Sequence, residues 1–432
     1  MVINPYVVDF KLYDEWMHPL GLYLLIDTLL ANGYGVRYFD CLERTLQNPD
    51  KKYATGTFIS TEIPKPELFN TVARRYKRYG CLPERFEQFL QEEPQPDVVF
   101  VGSMMTYWAE GVVATVETIR RVLPEIPVVV GGTAVRLLPE FFRTALPGVS
   151  VFTGDLSGDG SIELPGCPQP LRLPQQQSLL PGFFRAAIQR HGPALLSLGC
   201  PMHCSYCASN ILQPEYRRRD MEVVAREITM MVDNFGVRDF SFYDDALLVD
   251  AKQLLVPFLL HIVGSGVEGL RLHTPNGLHL QYITAELLAL MHEAGFTTLR
   301  FGYETGQAKH RRQTGGKADE QLLRSKLELV QSLPFPDTGV YVMGGLPESS
   351  PEEMLREMRV VASCGVRVKP VFLSPVPGTP LFEQYTAEFP DLRTDPRWQN
   401  DSFFVTRLKG WGSASVEEIR SLARELNSSL RG

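Results

Sequence analysis

Three cysteines, Cys200, Cys204 and Cys207, form a C-x3-C-x2-C pattern near the middle of the chain. Three thiolates at this spacing can surround one corner of a cuboidal iron–sulfur cluster. A [4Fe–4S] cluster normally takes four thiolates, so a triplet without a nearby fourth cysteine leaves one iron open. The pattern therefore indicates a cluster with a free position for a substrate or a cofactor.

A zinc site and a purely structural role are the alternatives. Buried free cysteines are common, and C-x2-C pairs also bind zinc. Zinc requires a fourth ligand, and His203 lies inside the triplet, where it is poorly placed to join the same metal. The spacing favours the cluster, because the remaining cysteines are scattered without paired spacing: Cys41, Cys81, Cys167 and Cys364.

Length and composition set the class of protein. The 432 residues suffice for two or three domains, and 44% hydrophobic residues indicate ordinary globular cores. A formal net charge of −7 predicts no broad surface for nucleic acid. We expect a cytoplasmic protein, because there is no signal peptide, no apolar stretch of about 18 residues and no paired cysteine framework.

The first part of the chain, residues 1–154, predicts a Rossmann-like domain. Short apolar segments alternate with amphipathic ones, which is typical of a parallel sheet covered on both faces. Residues 42–95 interrupt the pattern as an insertion, and residues 155–192, rich in Pro, Gly and Gln, predict a linker. Strands are expected near 1–9, 35–39, 97–102, 127–130 and 149–153, with helices near 20–32, 110–122 and 137–145.

The second part, residues 193–390, predicts a partial (β/α)6 barrel of the TIM type. Residues 391–432 then form a short C-terminal tail with a helix near 415–429. Catalytic groups of such barrels lie at the carboxyl ends of the strands. Polar or glycine- and proline-rich segments follow the predicted strands there, including the cysteine triplet after the first. The strands are expected near 194–198, 238–243, 269–273, 297–302, 338–343 and 369–373.

These motifs resemble the radical S-adenosylmethionine (SAM) superfamily, in its branch with an N-terminal cobalamin-binding domain. The cysteine triplet, Tyr206 before its last cysteine, Asp244-Asp245 and the run 302–305 around Glu304 match that branch in order and spacing. The resemblance implies that Cys200, Cys204 and Cys207 bind the [4Fe–4S] cluster. It also makes four residues candidates for binding SAM: Tyr206, Asp244, Asp245 and Glu304.

In the first part, the resemblance implies a cobalamin site. Glycines after strands let a ligand approach the backbone, and the carboxyl ends of strands are where open α/β sheets bind cofactors. By resemblance, Ser103, Gly131 and Gly132 line the channel for the nucleotide tail of cobalamin, and Gly154 matches the loop after the last strand. A Rossmann domain that has lost its cofactor is the alternative.

His18 is a further candidate in this part. Cobalamin mutases and methionine synthases carry Asp-x-His-x-x-Gly, whose histidine coordinates cobalt. Here His18-Pro-Leu-Gly21 retains His-x-x-Gly, but Asp14 stands two positions too early. A missing carboxylate partner weakens a histidine ligand, so we expect His18 to be a loop residue.

The resemblance implies methylation of an unactivated carbon, with hydrogen abstraction by a 5′-deoxyadenosyl radical and a methyl group from methylcobalamin. A flavodoxin or ferredoxin is the implied electron donor. Radical cyclisation or rearrangement with the same cofactors, a tRNA methylthiotransferase and a non-enzymatic cofactor sensor are the alternatives. The substrate, a small molecule, a lipid or a peptide side chain, has no recognisable code in the sequence.

Overall fold

The computed structural model describes residues 1–42, 51–92, 94–186, 189–310 and 315–430. The chain divides into two compact units. The first unit comprises residues 1–190 with Phe389–Gln399, and the second comprises residues 191–388 with 400–432. No helix in these described ranges is long and apolar enough to cross a membrane.

Five of the described strands form a parallel sheet in the first unit. Taken in chain order, the strands are arranged 2-1-3-4-5, which places a topological switch point between the first and third. This architecture confirms the Rossmann-like prediction. In spatial order the strands are Ser150–Val151, Val128–Val130, Val99–Val101, Val2–Asn4 and Tyr38–Asp40.

Alternation along the strands gives this sheet two apolar faces. Val128 and Val130 belong to one hydrophobic cluster, and Val129 between them belongs to another. Successive side chains of a strand point to opposite faces, so a continuous valine run suits a sheet that is covered on both sides. The helix Leu20–Ala31 covers one face and the helix Ala109–Val122 covers the other.

The insertion forms a small sheet of its own. Strands Lys77–Tyr79 and Ser60–Glu62 pair antiparallel with each other, and Val7–Asp9 joins them. The predicted first strand, 1–9, is therefore two strands in different sheets, separated at Pro5. Gly56–Thr57 pairs with Tyr13–Asp14, and the helix Pro83–Glu92 leads back to the main sheet. Residues 43–50 and 93 of the insertion lie outside the described residues.

The segment predicted as a linker packs on the first unit. Its strands Ser161–Ile162 and Leu171–Arg172 pair antiparallel, and its helix Leu180–Phe183 contacts the helix Leu20–Ala31. Leu171 and Phe183 are almost fully buried. The sequence predicts a linker because the apolar residues of this segment have no regular period. In the structure, Leu164 and Leu171 pack in the hydrophobic cluster on one face of the first sheet. Residues 187–188 lie outside the described ranges.

Six of the described strands form the main sheet of the second unit, all parallel and adjacent in chain order, which agrees with the predicted partial (β/α)6 barrel. A short strand, Leu278–His279, also pairs with the fourth. The six strands are Gly192–Ala194, Asp239–Phe242, Arg271–His273, Phe296–Glu304, Asp337–Gly344 and Arg367–Phe372.

The first barrel strand differs from the prediction of 194–198. The chain leaves the barrel after Ala194, and Ser197–Leu198 pairs instead with Arg217–Arg218 in an antiparallel ribbon. The helices of the unit are Ser209–Leu212, Met221–Phe235, Leu255–Gly264, Ala285–Glu293, Glu320–Gln331, Pro351–Ser363, Pro380–Glu388, Asp401–Phe404 and Ser413–Ser429.

The C-terminal helix, Ser413–Ser429, confirms the helix predicted in the tail. It packs on the helix Pro351–Ser363 and on the last barrel strand. Asn427 fixes this position, since its side chain accepts from Val368 N at 2.8 Å and donates to Val368 O at 2.9 Å. Most of the predicted tail therefore belongs to the barrel unit, whereas Phe389–Gln399 belongs to the first unit.

Candidate functional site

The cysteine triplet lies in the loop that follows the strand Ser197–Leu198. Gly199 begins this loop with φ +78°, a conformation that favours glycine. A Cβ at Gly199 would lie 2.6 Å from Glu215 O, so the close approach of the two backbones also requires glycine. The ribbon and this turn thus fix where the loop departs from the barrel.

Backbone and side-chain donors point at two of the three sulfur atoms. Met202 N donates to Cys200 Sγ at 3.4 Å, and Ser209 N lies 3.5 Å from Cys207 Sγ. Ser209 Oγ lies 3.2 Å from the same sulfur. Hydrogen bonds to sulfur stabilise thiolates and tune iron–sulfur clusters, so the loop already supplies part of a cluster's surroundings.

Burial dominates the electrostatics of the thiols. Burial raises the pKa of Cys200 to about 11, with the nearby Asp245 and the other two thiols adding to the effect. Burial also raises the pKa of Cys204, and the Lys317 ammonium group partly offsets the rise. Three adjacent thiolates repel one another unless a cationic group joins them. Three soft sulfur donors fit iron, although no three His, Cys, Asp or Glu side chains in the described ranges are arranged to hold a single metal ion.

Glu304 and Lys317 form a buried ion pair beside the triplet. Lys317 Nζ donates to Glu304 Oε1 at 2.6 Å, and the two side chains are only 10% and 7% exposed. Burial lowers the pKa of Lys317, but Glu304 and the thiols of Cys204 and Cys207 raise it by more. The pKa of Lys317 therefore lies above its ordinary value. Lys317 is therefore a cation next to the predicted cluster ligands.

Two glycines make room for this ion pair. A Cβ at Gly302 would lie 2.7 Å from Lys317 Nζ and 3.1 Å from Glu304 Oε1. A Cβ at Gly315, which has φ +70°, would lie 2.7 Å from Cys204 Sγ. The segment that carries Lys317 thus passes directly over a cysteine sulfur. Glu304 itself ends its strand with φ +62°, which turns its side chain away from the regular strand direction.

Tyr206 and His279 complete this polar group. Burial and the neighbouring Glu304 raise the pKa of the Tyr206 phenol well above its usual range. Burial and then the charge of Lys317 lower the pKa of His279 to about 4. His279 lies on the short strand opposite Gly302. A neutral imidazole and a neutral phenol therefore border the ion pair at neutral pH.

The two predicted aspartates have different environments. Asp244 is 2% exposed and accepts from the backbone N–H groups of Leu196 and Ser197 and from Ser197 Oγ. Both of its oxygens thus bind the segment that leads into the cysteine loop. Asp245 is exposed at the protein surface and lies near Cys200 and Ser209. Of the pair, only Asp245 is adjacent to the triplet.

The predicted cobalamin residues meet at the carboxyl ends of the third and fourth strands of the first sheet. Ser103 Oγ donates to Gly131 O at 2.8 Å and accepts from Val135 N at 3.1 Å. Gly132 has φ +97°, and a Cβ there would lie 2.5 Å from Ser103 O. The glycines bring the two strand ends together, and the Ser103 hydroxyl is used in holding them. An edge built from close backbone fits a ligand that needs access to the main chain.

Gly154 and His18 have packing roles in the same unit. A Cβ at Gly154 would lie 2.6 Å from the ring of Phe152. His18 is 9% exposed, its Nδ1 lies 3.1 Å from Tyr23 OH, and its ring packs against Phe183. The imidazole is therefore part of an aromatic contact between the first helix and the segment predicted as a linker.

Sequence reasoning missed three residues that contact the predicted site residues or the segments next to them. Lys317 stands 13 positions after its partner Glu304, a separation with no motif. Ser197 is one of many serines, and its contact with Asp244 needs the ribbon geometry. Glu357 lies on a helix, yet it accepts from Thr305 Oγ1 at 2.8 Å and from Gly306 N at 3.1 Å. The signal for Glu357 is an acidic residue on the buried face of an amphipathic helix.

The fold and the site define an α/β protein with a Rossmann-like unit and a partial barrel that carries a cysteine triplet. Comparison with protein families agrees with this class. Residues 195–361 match the radical SAM superfamily, and residues 75–156 match the B12 binding domain. The two matches follow each other in the order that the motifs predict, which confirms the resemblance.

Two curated relatives are methyltransferases. Cytidylyl-2-hydroxyethylphosphonate methyltransferase of Streptomyces wedmorensis is 27% identical over 373 residues, covering 71% of this chain and 65% of that protein. Uncharacterized methyltransferase PH0819 of Pyrococcus horikoshii is 21% identical over 232 residues, covering 53% of this chain and 49% of that protein. The chain spans less than two thirds of the length of either relative.

A solved structure shares the fold. It is the radical S-adenosylmethionine methyltransferase TsrM from Kitasatospora setae, with tryptophan substrate and the SAM analog aza-SAM bound. The TM-score is 0.61 at 16% identity, and the match covers 90% of this chain and 75% of that one. The two proteins therefore share the fold over most of this chain.

Proposed function

We propose that the protein is a cobalamin-dependent radical SAM methyltransferase that methylates an unactivated carbon. The observation that carries the proposal is the cysteine loop, in which three thiols lie beside the buried Glu304–Lys317 pair near the carboxyl end of a barrel strand. The order of the two matched domains and the two methyltransferase relatives support it.

The cluster with SAM supplies a 5′-deoxyadenosyl radical, and cobalamin supplies a carrier for the methyl group. Cys200, Cys204 and Cys207 bind the cluster in this proposal. Glu304 orients the amino group or a ribose hydroxyl of SAM, and Tyr206 closes the site against water. Asp245 remains a candidate for SAM, whereas Asp244 holds the base of the cysteine loop through Ser197.

In the first unit, the edge at Ser103, Gly131 and Gly132 is the proposed cobalamin site. It adjoins the switch point of a 2-1-3-4-5 sheet, which is where open α/β sheets bind ligands. The contacts of Ser103 indicate that it shapes this edge from within. Gly154 follows the fifth strand and gives Phe152 the space to pack.

Two alternatives use the same barrel. Radical cyclisation or rearrangement requires the same cofactors and differs in its products. A methylthiotransferase would need three further cysteines gathered at a second cluster. Cys41 and Cys81 lie in the hydrophobic cluster on one face of the first sheet, and Cys167 packs against the cluster on the other face. That distribution disfavours the methylthiotransferase.

The substrates to test come from the relatives and not from the contacts within either unit. The Streptomyces relative is named for a cytidylyl phosphonate and the TsrM structure holds tryptophan, so these two compounds are the first substrates to test. A lipid and a peptide side chain remain in the proposal. The electron donor would be a flavodoxin or a ferredoxin, and dithionite can replace it in the assay.

The test uses protein reconstituted anaerobically with iron, sulfide and cobalamin. We expect about four iron atoms per chain, as a [4Fe–4S] cluster requires. With dithionite and methyl-deuterated SAM, we expect 5′-deoxyadenosine, S-adenosylhomocysteine and a deuterated methyl group on the product. Formation of 5′-deoxyadenosine alone, with an unmethylated rearranged product, would favour the cyclase.

Cysteine variants provide the control. Cys204→Ala should lose the cluster and all cleavage of SAM, whereas Cys364→Ala should retain both. Cys364 is also half-buried in the second unit, and its Sγ donates to Val360 O. Full iron content in a variant lacking Cys200, Cys204 and Cys207 would rule out the radical SAM function.

A further inference from the structure

The charges around the cysteine triplet are arranged asymmetrically. Lys317 contributes the strongest nearby positive charge at Cys204 and also acts on Cys207. Glu304 acts on Cys204 more weakly than Lys317 does. The segment that carries Lys317 passes over Cys204, since a Cβ at Gly315 would lie 2.7 Å from Cys204 Sγ, so the two opposite charges of the ion pair lie beside the triplet.

Burial strengthens the effect of both charges on the neighbouring sulfur atoms. The side chains of Lys317 and Glu304 are 10% and 7% exposed, so water screens their charges poorly. The backbone at Gly302 lies close to both charged groups, since a Cβ there would lie 2.7 Å from Lys317 Nζ and 3.1 Å from Glu304 Oε1. A buried pair of opposite charges thus lies beside the predicted cluster ligands.

Reduction of an iron–sulfur cluster adds one electron to a site already surrounded by thiolates. A nearby cation stabilises the reduced form, and a nearby anion destabilises it, so local charge sets the reduction potential. We propose that Lys317 raises the reduction potential of the cluster at Cys200, Cys204 and Cys207, and that Glu304 lowers it. This inference rests on the proposed cluster and goes beyond it by assigning the residues that tune it.

The experiment is a redox titration of reconstituted protein without SAM, with dithionite and mediator dyes, following the magnetic resonance signal of the reduced cluster. Lys317→Met should shift the midpoint potential to a more negative value. Glu304→Gln should shift it to a more positive value. The double variant should lie between the two, and Lys317→Arg, which keeps the charge, should stay close to the wild type.

Lys309→Met is the matched control. Lys309 forms a more exposed ion pair with Glu353 at 3.2 Å in the same unit, so its loss should leave the potential unchanged. Iron content and circular dichroism establish that each variant folds and carries a cluster. Lys317→Arg also covers the case in which methionine at this position prevents assembly.

The outcomes separate the two proposals. If the wild type assembles no cluster, the proposed function fails. If clusters assemble and the two single variants leave the potential unchanged or shift it in the same direction, the tuning role is wrong. A weaker affinity for SAM with an unchanged potential would also overturn it, because Lys317 would then act on SAM and not on the cluster.

Discussion

Asp244 Oδ1 accepts two hydrogen bonds of 2.6 Å from Ser197, one from its backbone N–H and one from its hydroxyl. The contact joins the end of the second barrel strand to the segment that enters the cysteine loop. Burial raises the pKa of Asp244 to about 6, although its hydrogen bonds oppose the shift. Ionising this carboxyl group in the folded protein is therefore costly, and its contacts hold Ser197 in place.

This pKa gives Asp244 a characteristic effect on stability. Between pH 3.8 and about 6, the folded protein binds a proton at Asp244 more tightly than the unfolded chain does. The stability that depends on this group must fall as the pH rises through that window. Asp244→Asn removes the dependence and places an amide N–H₂ against backbone donors, costing about 1–3 kcal/mol.

Urea unfolding of the cluster-free protein tests this prediction. The wild type should exceed Asp244→Asn in stability by more at pH 4.5 than at pH 7. Asp250→Asn is the control, since Asp250 forms an exposed pair with Arg218 and its loss should change little. An equal difference at both pH values would show that the carboxyl group titrates normally.

Gly131 and Gly132 predict a contrast within one dipeptide. A Cβ at Gly131 meets Phe152 at an ordinary 3.5 Å, so Gly131→Ala should leave the stability nearly unchanged. At Gly132 the Cβ would lie 2.5 Å from Ser103 O with φ at +97°, and Gly132→Ala should cost at least about 1–3 kcal/mol.

Chemical denaturation of the two variants measures the contrast. Similar stabilities would mean that the strand ends are not packed as closely as described. The result also governs how cobalamin binding is tested, because a large residue at Gly132 would disturb Ser103 before it filled any ligand channel. Loss of cobalamin uptake in such a variant would then report a disturbed fold.

Glu357 supports the chain directly after Glu304. Its carboxylate accepts from Thr305 Oγ1, Gly306 N and Gln307 Nε2, and burial raises its pKa. All three donors bind Oε1, so Glu357→Gln can keep these hydrogen bonds, whereas we expect Glu357→Leu to lower stability by about 1–3 kcal/mol because buried donors then lose their acceptor. Weaker binding of SAM should follow if the loop positions Glu304.

A double-mutant cycle with Thr305→Val isolates the contact. The two substitutions should be less than additive, since each removes the same hydrogen bond. Glu353→Gln serves as the comparison, because Glu353 caps its own helix at Ser350. Full additivity of Glu357→Leu and Thr305→Val would contradict the anchoring role.

The architecture is predictable where pattern and burial coincide. The run Val128–Val130 consists only of valines, which indicates a central parallel strand. The structure agrees, since all three residues are buried. The cysteine spacing predicts the cluster ligands because three residues close together in the sequence suffice for the motif. The Glu304–Lys317 pair is not predictable, since a turn with glycines at positive φ, and not a periodic element, brings the two together.

The same distinction explains the errors. Gly192–Ala194 contains Pro193 and gives no apolar run, so the strand prediction moved to the more apolar residues that follow. The segment 155–192 contains buried leucines without a period, and its composition therefore suggested a linker. Asp244 is predicted as a candidate for binding SAM because carboxylates suit an amino group or a ribose hydroxyl, and that role stays a prediction. Its contacts depend on the position of Ser197, which no local pattern reveals.

The last prediction concerns His18, whose Nδ1 lies 3.1 Å from Tyr23 OH and whose ring contacts Phe183. Asp14 accepts a hydrogen bond of 2.7 Å from Met17 N and so serves the local turn. A histidine ligand is normally oriented by a carboxylate on its second nitrogen. We therefore expect His18→Ala to leave the affinity and the spectrum of bound cobalamin nearly unchanged, while the lost packing lowers stability.

Magnetic resonance of the Co(II) form measures this directly. An imidazole below cobalt gives superhyperfine splitting from one nitrogen, and we expect the wild type to lack it. Tyr23→Phe is the control, since it removes the hydroxyl that faces His18 and keeps the ring. Splitting that is present in the wild type and absent in His18→Ala would establish His18 as a ligand. A lack of splitting would agree with the packing of His18 against Tyr23 and Phe183, and bound cobalamin would then supply its methyl-transfer chemistry without a ligand from this residue.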